Sequence, residues 1–225
     1  WEHFVKVEEC GGFTKAIRDG YVQNEIAQTA QQRDMDIATR KTTILGTNQY
    51  PNLTENMGGK IENDGEGNGC CCHTGNEVPT LRQYRGAEAF EKLRIATETS
   101  GTRPKVFLLT YGNLAMRKAR SGFATNFFGV AGYEIIDNAG FKTAEEGVKA
   151  ALEAKADIVV MCSSDDEYAE IAESVCNGLK GKVKSIVVAG YPKEQIEQYG
   201  LEPFIAKCKE SVWKYKGMWE DFSGT

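Results

Sequence analysis

The apolar residues in the C-terminal half of the chain form short runs that alternate with stretches of helical spacing. The runs predict strands at Lys105–Thr110, Tyr133–Asp137, Ile158–Ser163, Ser185–Gly190 and Phe204–Ala206. The stretches of helical spacing are Ala115–Phe128, Ala144–Lys155, Asp166–Leu179, Lys193–Gln198 and Lys209–Lys216. Strands that alternate with helices predict right-handed crossovers and a parallel sheet that helices cover on both faces.

Two of the predicted strands indicate where the centre of this sheet lies. Ile158–Cys162 and Ile186–Val188 are almost continuous apolar runs. Central strands of a parallel sheet have this composition because both of their faces are buried. We therefore expect an α/β domain over residues 104–225, with a five-stranded, flavodoxin-like (Rossmann-like) parallel sheet.

The first region, residues 1–51, has helical spacing but no sheet around it. Apolar residues recur every three to five positions between Gly12 and Lys41, and Gly20 is the expected break between a short and a longer helix. The run Thr42–Asn48 is expected to form a short strand. Helices and one strand cannot bury their apolar faces alone, so we expect a remnant of a larger domain, and Trp1 as first residue suggests part of a longer protein.

The second region, residues 52–103, is expected to be a linker followed by a connecting helix near Gly86–Thr97. Its first part is rich in Gly, Asn and Glu, which is typical of a linker. Cys70, Cys72 and His73 carry thiolate and imidazole groups that could bind zinc, but ligands this close in sequence do not converge on a tetrahedron. A metal site here would need ligands from elsewhere, and a thiol-rich loop is the favoured interpretation.

Charge and composition exclude several function classes. The chain has 27 basic and 32 acidic residues and a pI near 5.3, so it lacks the basic surface that nucleic-acid binding requires. Its apolar runs are far shorter than the roughly 20 residues of a membrane helix. Seven cysteines without paired spacing favour a reducing, cytoplasmic location over a disulfide framework.

The loop after the first predicted strand, Thr110–Gly122, lies where parallel sheets bind their ligands. It contains neither a phosphate-binding glycine pattern nor an acidic cluster, but Arg117, Lys118 and Arg120. We interpret these cations as the solvated face of a helix, with a docking patch for an acidic partner as the alternative. Residues 165–167 are all acidic and are expected to stabilise the start of a helix.

Three segments carry a resemblance to a known family. Residues 1–26, residues 37–52 and the run RGAEAFEKLR at 85–94 resemble cobalamin-dependent acyl-CoA mutases, most closely the small subunits of heterodimeric methylmalonyl-CoA mutases. The resemblance implies that residues 1–51 are the end of a (β/α)8 barrel and that residues 104–225 are a domain of the cobalamin-binding type. In this family the large subunit binds the acyl-CoA in its barrel, and a histidine of a DxHxxG loop binds the cobalt.

This chain departs from the family at the DxHxxG loop. Matching the following helix and strand puts Ala115 at the Asp position, Arg117 at the His position and Arg120 at the Gly position. Without an imidazole there is no axial ligand for cobalt, and cations would crowd the space of the cofactor's nucleotide tail. Partial remnants of the family's pattern remain at Ser163, Ser164 and Gly190. The resemblance thus implies a degenerate cobalamin domain with no catalytic or cofactor-binding residues.

The function that the resemblance implies is a non-catalytic, supporting small subunit. Its large subunit would hold adenosylcobalamin and isomerise methylmalonyl-CoA and succinyl-CoA, so the complex is an enzyme although this chain is not catalytic. The alternative is an independent flavin- or anion-binding module, because TYGN at residues 110–113 weakly resembles a flavodoxin phosphate loop. Leu114 and Ala115, which follow it, lack the hydroxyl donors of that loop.

Overall fold

The computed structural model of the protein describes residues 1–58, 81, 85–190, 192–200 and 202–203. These residues form a parallel sheet of order β2-β1-β3-β4, to which the backbone of Glu202–Pro203 pairs beside β4. The strands are β1 (Lys105–Thr110), β2 (Glu134–Ile136), β3 (Ile158–Cys162) and β4 (Ser185–Val188). The α/β class and the parallel sheet are confirmed, and the arrangement agrees with a flavodoxin-like fold. The predicted strand Phe204–Ala206 and helix Lys209–Lys216 lie outside the described residues.

Eight helices are described. They are α1 (Glu2–Glu9), α2 (Phe13–Arg18), α3 (Tyr21–Ala38), α4 (Glu88–Thr99), α5 (Leu114–Val130), α6 (Ala144–Glu153), α7 (Asp165–Leu179) and α8 (Lys193–Tyr199). Gly20 separates α2 from α3 with a φ of 78°, as the spacing predicted. Helix α1 has no counterpart in the prediction. Among the described helices, none is long and apolar enough to span a membrane.

The core consists of two apolar layers, one on each face of the sheet. Leu108 and Val160 point from β1 and β3 toward a layer that includes Phe128 of α5. Their neighbours Leu109 and Val159 point to the opposite layer, which contains residues of α6 and α7. Each fully buried side chain of this kind contributes about 1.5–3 kcal/mol relative to an exposed one. The alternation along β1 and β3 therefore fixes their register and positions the loops at their carboxyl ends.

The predicted strand Thr42–Asn48 is wrong, because this segment forms a turn. The fully buried Asn48 side chain accepts a hydrogen bond from the Ile44 amide at 2.8 Å and donates to the carbonyl oxygens of Ile37 at 2.8 Å and Thr42 at 2.9 Å. These bonds hold the chain in a closed turn, and only an isolated bridge between Leu45 and Gln49 remains. A side-chain amide that satisfies local backbone groups competes here with strand pairing.

Helices α1–α3, which we call the N-terminal arm, bury few of their apolar side chains. Helix α1 has no buried residue, and α3 buries only its last two, Ile37 and Ala38. Trp1 is 91% exposed and Phe13 is 61% exposed. Since Ile37 is the arm's contribution to the core layer of α4 and α5, the arm is joined to the α/β domain at its C-terminal end.

Candidate functional site

The carboxyl ends of β1 and β3 meet at one edge of the sheet, where the sequence places the candidate site. The loop after β1 reaches α5 through Asn113, whose side-chain oxygen caps that helix by accepting from the amides of Ala115 at 3.0 Å and Met116 at 3.1 Å. The loop after β3 contains the two serines, Ser163 and Ser164. Ala115 itself is exposed in the first turn of α5. This edge brings together most of the predicted site residues.

The carboxylate of Glu167 lies between these two loops. It accepts hydrogen bonds from the hydroxyls of Ser163 at 2.6 Å and Ser164 at 2.7 Å, and from the backbone amides of Ser164 at 3.1 Å and Asn113 at 2.9 Å. The hydroxyls of Ser163 and then Ser164 are the main reason why the pKa of Glu167 falls to about 2. Residues 165–167 begin α7, as predicted. In addition, the hydrogen bonds of Glu167 to Asn113 and Ser163 join the loop after β1 to the loop after β3.

Gly112 makes room for this carboxylate. A Cβ atom at residue 112 would lie 2.2 Å from the Glu167 carboxyl group, and the φ of Gly112 is +71°. Both the close approach and the left-handed backbone favour glycine. The space beside the backbone at this edge is therefore filled by the chain's own acidic side chain.

Arg117 and Arg120 also bind parts of the chain itself. Arg117 donates to the carbonyl oxygens of Gly112 at 3.2 Å and Ala139 at 3.0 Å. Arg120 donates to the carbonyl oxygen of Ala189 at 2.6 Å. The interpretation of these cations as a solvated helix face is therefore wrong for both arginines, because backbone carbonyl oxygens of neighbouring loops hold their guanidinium groups.

Arg120 and Lys118 show the contrast between a held and a solvated cation. The second donor of Arg120 forms an ion pair with Asp165 at 3.0 Å, and a Cβ at Gly190 would lie 2.4 Å from its guanidinium. Lys118 points to solvent, where it pairs with the exposed Asp137 at 3.6 Å. The solvated-face interpretation is confirmed for Lys118 only.

A buried tyrosine that the sequence analysis missed completes the edge. The Tyr168 side chain is fully buried, and its hydroxyl accepts from the Ser163 amide at 3.0 Å and lies 2.8 Å from the Ala189 carbonyl oxygen, to which it can donate. Burial raises the pKa of Tyr168, and likewise raises the pKa of the neighbouring Cys162 thiol. Both groups therefore stay protonated at neutral pH, and neither is an activated nucleophile. In the sequence, Tyr168 is one of the regularly spaced apolar residues of α7. Only the hydrogen bonds of its hydroxyl group distinguish it from an ordinary core residue.

The loop after β2 is fastened to β1 by Asn138, which the sequence analysis also missed. Its side-chain oxygen lies 2.5 Å from the hydroxyl of Thr110 and accepts from the Gly140 amide at 3.1 Å, while its amide nitrogen donates to the Leu108 carbonyl oxygen. The position of Asn138 just beyond a predicted strand was the available signal. Three loops at the carboxyl edge are thus closed by polar side chains of the same chain.

Outside this edge, the described residues offer little for ligand chemistry. They contain no group of three or more His, Cys, Asp or Glu side chains placed to hold a metal ion, and the candidates Cys70, Cys72 and His73 lie outside the described part of the chain. A groove of about 330 Å³ runs between α6 and α7, and another of about 560 Å³ lies between α3 and the residues Ile44 and Gly86. Neither groove is at the carboxyl edge of the sheet.

Comparison with known proteins gives relatives that match most of the chain. Residues 1–93 match the methylmalonyl-CoA mutase family model. The methylmalonyl-CoA mutase small subunit of Porphyromonas gingivalis is 49% identical over 207 residues, which are 91% of this chain and 33% of that protein. The small subunit of Streptomyces virginiae is 33% identical over 186 residues, 80% of this chain and 28% of that protein.

A probable methylmalonyl-CoA mutase small subunit of Mycobacterium bovis is 31% identical over 198 residues, 86% of this chain and 29% of that protein. The chain thus spans about a third of the length of these relatives. The similarity extends over most of the chain and confirms the resemblance drawn from its residues. The relatives that this chain resembles are therefore small subunits of the methylmalonyl-CoA mutase family.

Proposed function

We propose that the chain is part of a non-catalytic small subunit that supports the large subunit of a methylmalonyl-CoA mutase complex. The observation that carries the proposal is the closed carboxyl edge of the sheet. Glu167, Arg117 and Arg120 fill it with hydrogen bonds to loops of the same chain. Isomerisation of methylmalonyl-CoA and succinyl-CoA would then take place in the large subunit.

The side chains at the edge do not fit a bound cobalamin. At the position that corresponds to the family's cobalt-binding histidine stands Arg117, whose guanidinium donates to two backbone carbonyl oxygens. A guanidinium has no free lone pair for a metal because it stays protonated in proteins. We therefore assign adenosylcobalamin to the large subunit and regard residues 104–225 as a degenerate cobalamin domain.

The N-terminal arm supports the proposal that residues 1–51 end a barrel domain. Phe4 is 56% exposed and Phe13 is 61% exposed, whereas side chains of this type are ordinarily buried. The relatives are about three times as long as the chain, so they have further sequence that could cover these side chains. In this proposal residues 52–103 connect the barrel to the domain at 104–225. The free thiols of Cys162 and Cys176 favour a reducing, cytoplasmic location.

The alternative of an independent flavin- or anion-binding module is disfavoured by the same edge. The Asn113 amide, which would be a phosphate donor in such a loop, donates to the Glu167 carboxylate. A phosphate would have to displace a carboxylate that has four hydrogen bonds. Titration with flavin mononucleotide under the conditions of the cobalamin experiment tests this alternative.

The test combines binding with activity. We expect the chain to leave the absorbance spectra of hydroxocobalamin and adenosylcobalamin unchanged at ligand concentrations that saturate the large subunit. Calorimetry should then show no heat beyond that of dilution. We expect the mutase activity of the large subunit to fall when the complete small subunit is removed, and added cobalamin not to restore it. Tight cobalamin binding by the chain, or full activity of the large subunit alone, would contradict the proposal.

A further inference from the structure

The carboxylate of Glu98, in the last turn of α4, is buried against residues far away in sequence. Its side chain is 7% exposed. It accepts from the Met57 amide through both oxygens, at 3.0 and 2.9 Å, and from the Gly58 amide at 3.0 Å. Hydrogen bonds to an ionised acceptor are roughly twice as strong as neutral ones. Glu98 therefore holds the chain at residues 57 and 58 on α4.

Two arginines extend this contact toward the start of the segment. Arg94, one turn earlier on α4 and 4% exposed, lies 3.7 Å from the Glu98 carboxylate. Its guanidinium donates to the carbonyl oxygens of Asn52 and Glu55, the latter at 3.0 Å. Arg103 lies 3.5 Å from the Glu98 carboxylate. The backbone at residues 52, 55, 57 and 58 is thus bonded to the buried pair of Arg94 and Glu98.

Helix α5 holds the same segment from another side. The Tyr50 amide donates to the side-chain oxygen of Asn126 at 2.7 Å. A Cβ at Gly129 would lie 2.5 Å from Leu53 and 3.1 Å from Pro51, so the lack of a side chain at residue 129 lets the segment approach the helix. Polar and apolar contacts therefore fix residues 50–58 on the connecting helix α4 and on helix α5 of the α/β domain.

We infer that residues 50–58 form a fixed strap that couples the N-terminal arm to the α/β domain, with Glu98 as the residue that holds it. Within the predicted linker, the backbone amides of Met57 and Gly58 are bonded to Glu98 and not left to water. The inference concerns this chain alone. Its consequence, that arm and domain move as one unit against a large subunit, rests on the proposed function.

The test compares two ion pairs on the same helix. Glu98→Gln keeps the size of the buried side chain but removes its charge, whereas Glu88→Gln changes the partner of the exposed Lys92, which lies 2.6 Å away in the wild-type chain. We expect Glu98→Gln to speed amide hydrogen exchange at Met57 and Gly58 by about 10-fold or more, since losing a buried charge partner costs over 1.4 kcal/mol. Exchange in β1 and β3 should remain slow, and Glu88→Gln should leave all rates unchanged.

A second pair of variants probes the strap without touching the charges. Gly129→Ala puts a methyl group against Leu53, whereas Gly122→Ala, on the same helix, meets nothing within 4 Å. We expect faster exchange at residues 50–58 for Gly129→Ala only. Wild-type exchange of the strap in both Glu98→Gln and Gly129→Ala would overturn the inference, and so would equal loss of protection in the strap and in β1 and β3. The measurement needs neither large subunit nor cobalamin, so its failure is distinct from failure of the proposed function.

Discussion

The carboxyl edge of the sheet and the N-terminal arm differ in whether their side chains have partners within the chain. At the edge, polar groups that could have met a ligand are bonded to one another, as Glu167 is to Ser163 and Ser164. In the arm, apolar groups that could have met one another, such as Trp1 and Phe13, face solvent. The edge is complete within the chain, while the arm has surface left for something else to cover.

This difference indicates which part of the chain can recognise a partner. Exposed apolar side chains gain free energy when they are covered, at roughly 25 cal/mol per Å². A closed hydrogen-bonded edge gains nothing comparable, because any ligand must first replace bonds that exist already. We therefore expect substitutions at the edge to change the stability of the chain and substitutions in the arm to change its associations.

Among substitutions at the carboxyl edge, the largest effect on stability is expected for Tyr168→Phe. Removing the buried hydroxyl leaves the Ser163 amide without its acceptor, which costs about 1–3 kcal/mol. Urea unfolding should show the loss as a lower midpoint. Tyr50→Phe is the control, because Tyr50 is exposed and its variant should unfold like the wild type. Equal midpoints for all three proteins would mean that the edge is less tightly closed than its hydrogen bonds indicate.

A smaller and pH-dependent effect is expected for Glu167→Gln. The pKa of Glu167 in the folded chain is about 2, below its ordinary value of 4.5, so the charged form stabilises the fold above the ordinary value. This contribution is lost as the pH falls from 4.5 toward 2. We expect Glu167→Gln to lower the free energy of unfolding by about 1 kcal/mol at pH 7, because water screens this partly exposed group.

Unfolding curves at several pH values check this prediction. The difference between wild type and Glu167→Gln should shrink as the pH falls toward 2. Glu170→Gln, an exposed position on the same helix, should show no such difference. A constant gap between wild type and Glu167→Gln across the pH range would contradict a role for the ionised carboxylate.

The smallest effect on stability is expected in the arm. Phe13→Ser should change the free energy of unfolding by less than about 0.5 kcal/mol, because the ring is exposed in the chain alone. Sedimentation should nevertheless show weaker association, with a large subunit or between copies, than for the wild type. Phe90→Ser on α4, where the ring is 5% exposed, should unfold readily. Strong destabilisation by Phe13→Ser would place the arm within the core and remove the contrast between the two regions.

The sequence predicted the sheet well because the apolar residues of the predicted strands are also the residues that the fold buries. Ile158–Cys162 is continuously apolar and continuously buried, and Gly20 ends one helix where its spacing ends. The turn at Thr42–Asn48 was missed because a single buried amide decides it. Secondary-structure propensity and apolar spacing do not show that one side chain, that of Asn48, will form hydrogen bonds with three backbone groups.

The sequence predicted where the residues of the candidate site lie but not which hydrogen bonds they form. The sequence located Arg117, Arg120 and the two serines at one edge, because the carboxyl ends of parallel strands meet there. The two arginines donate to the carbonyl oxygens of residues 139 and 189, which are distant in sequence. Helical spacing on α5 could indicate exposure or burial for the arginines, but not that loops from two other strands would reach them.

Gly112 and Glu167 are coupled in the evolution of this edge. Since a Cβ at residue 112 would lie 2.2 Å from the Glu167 carboxyl group, a side chain at 112 would push that carboxylate out of its hydrogen bonds. Loss or displacement of the acid leaves the amide of Asn113 free to meet an outside anion. A lineage that regained a ligand at this edge would therefore have to remove or displace the carboxylate of residue 167, and the two positions should vary together among relatives.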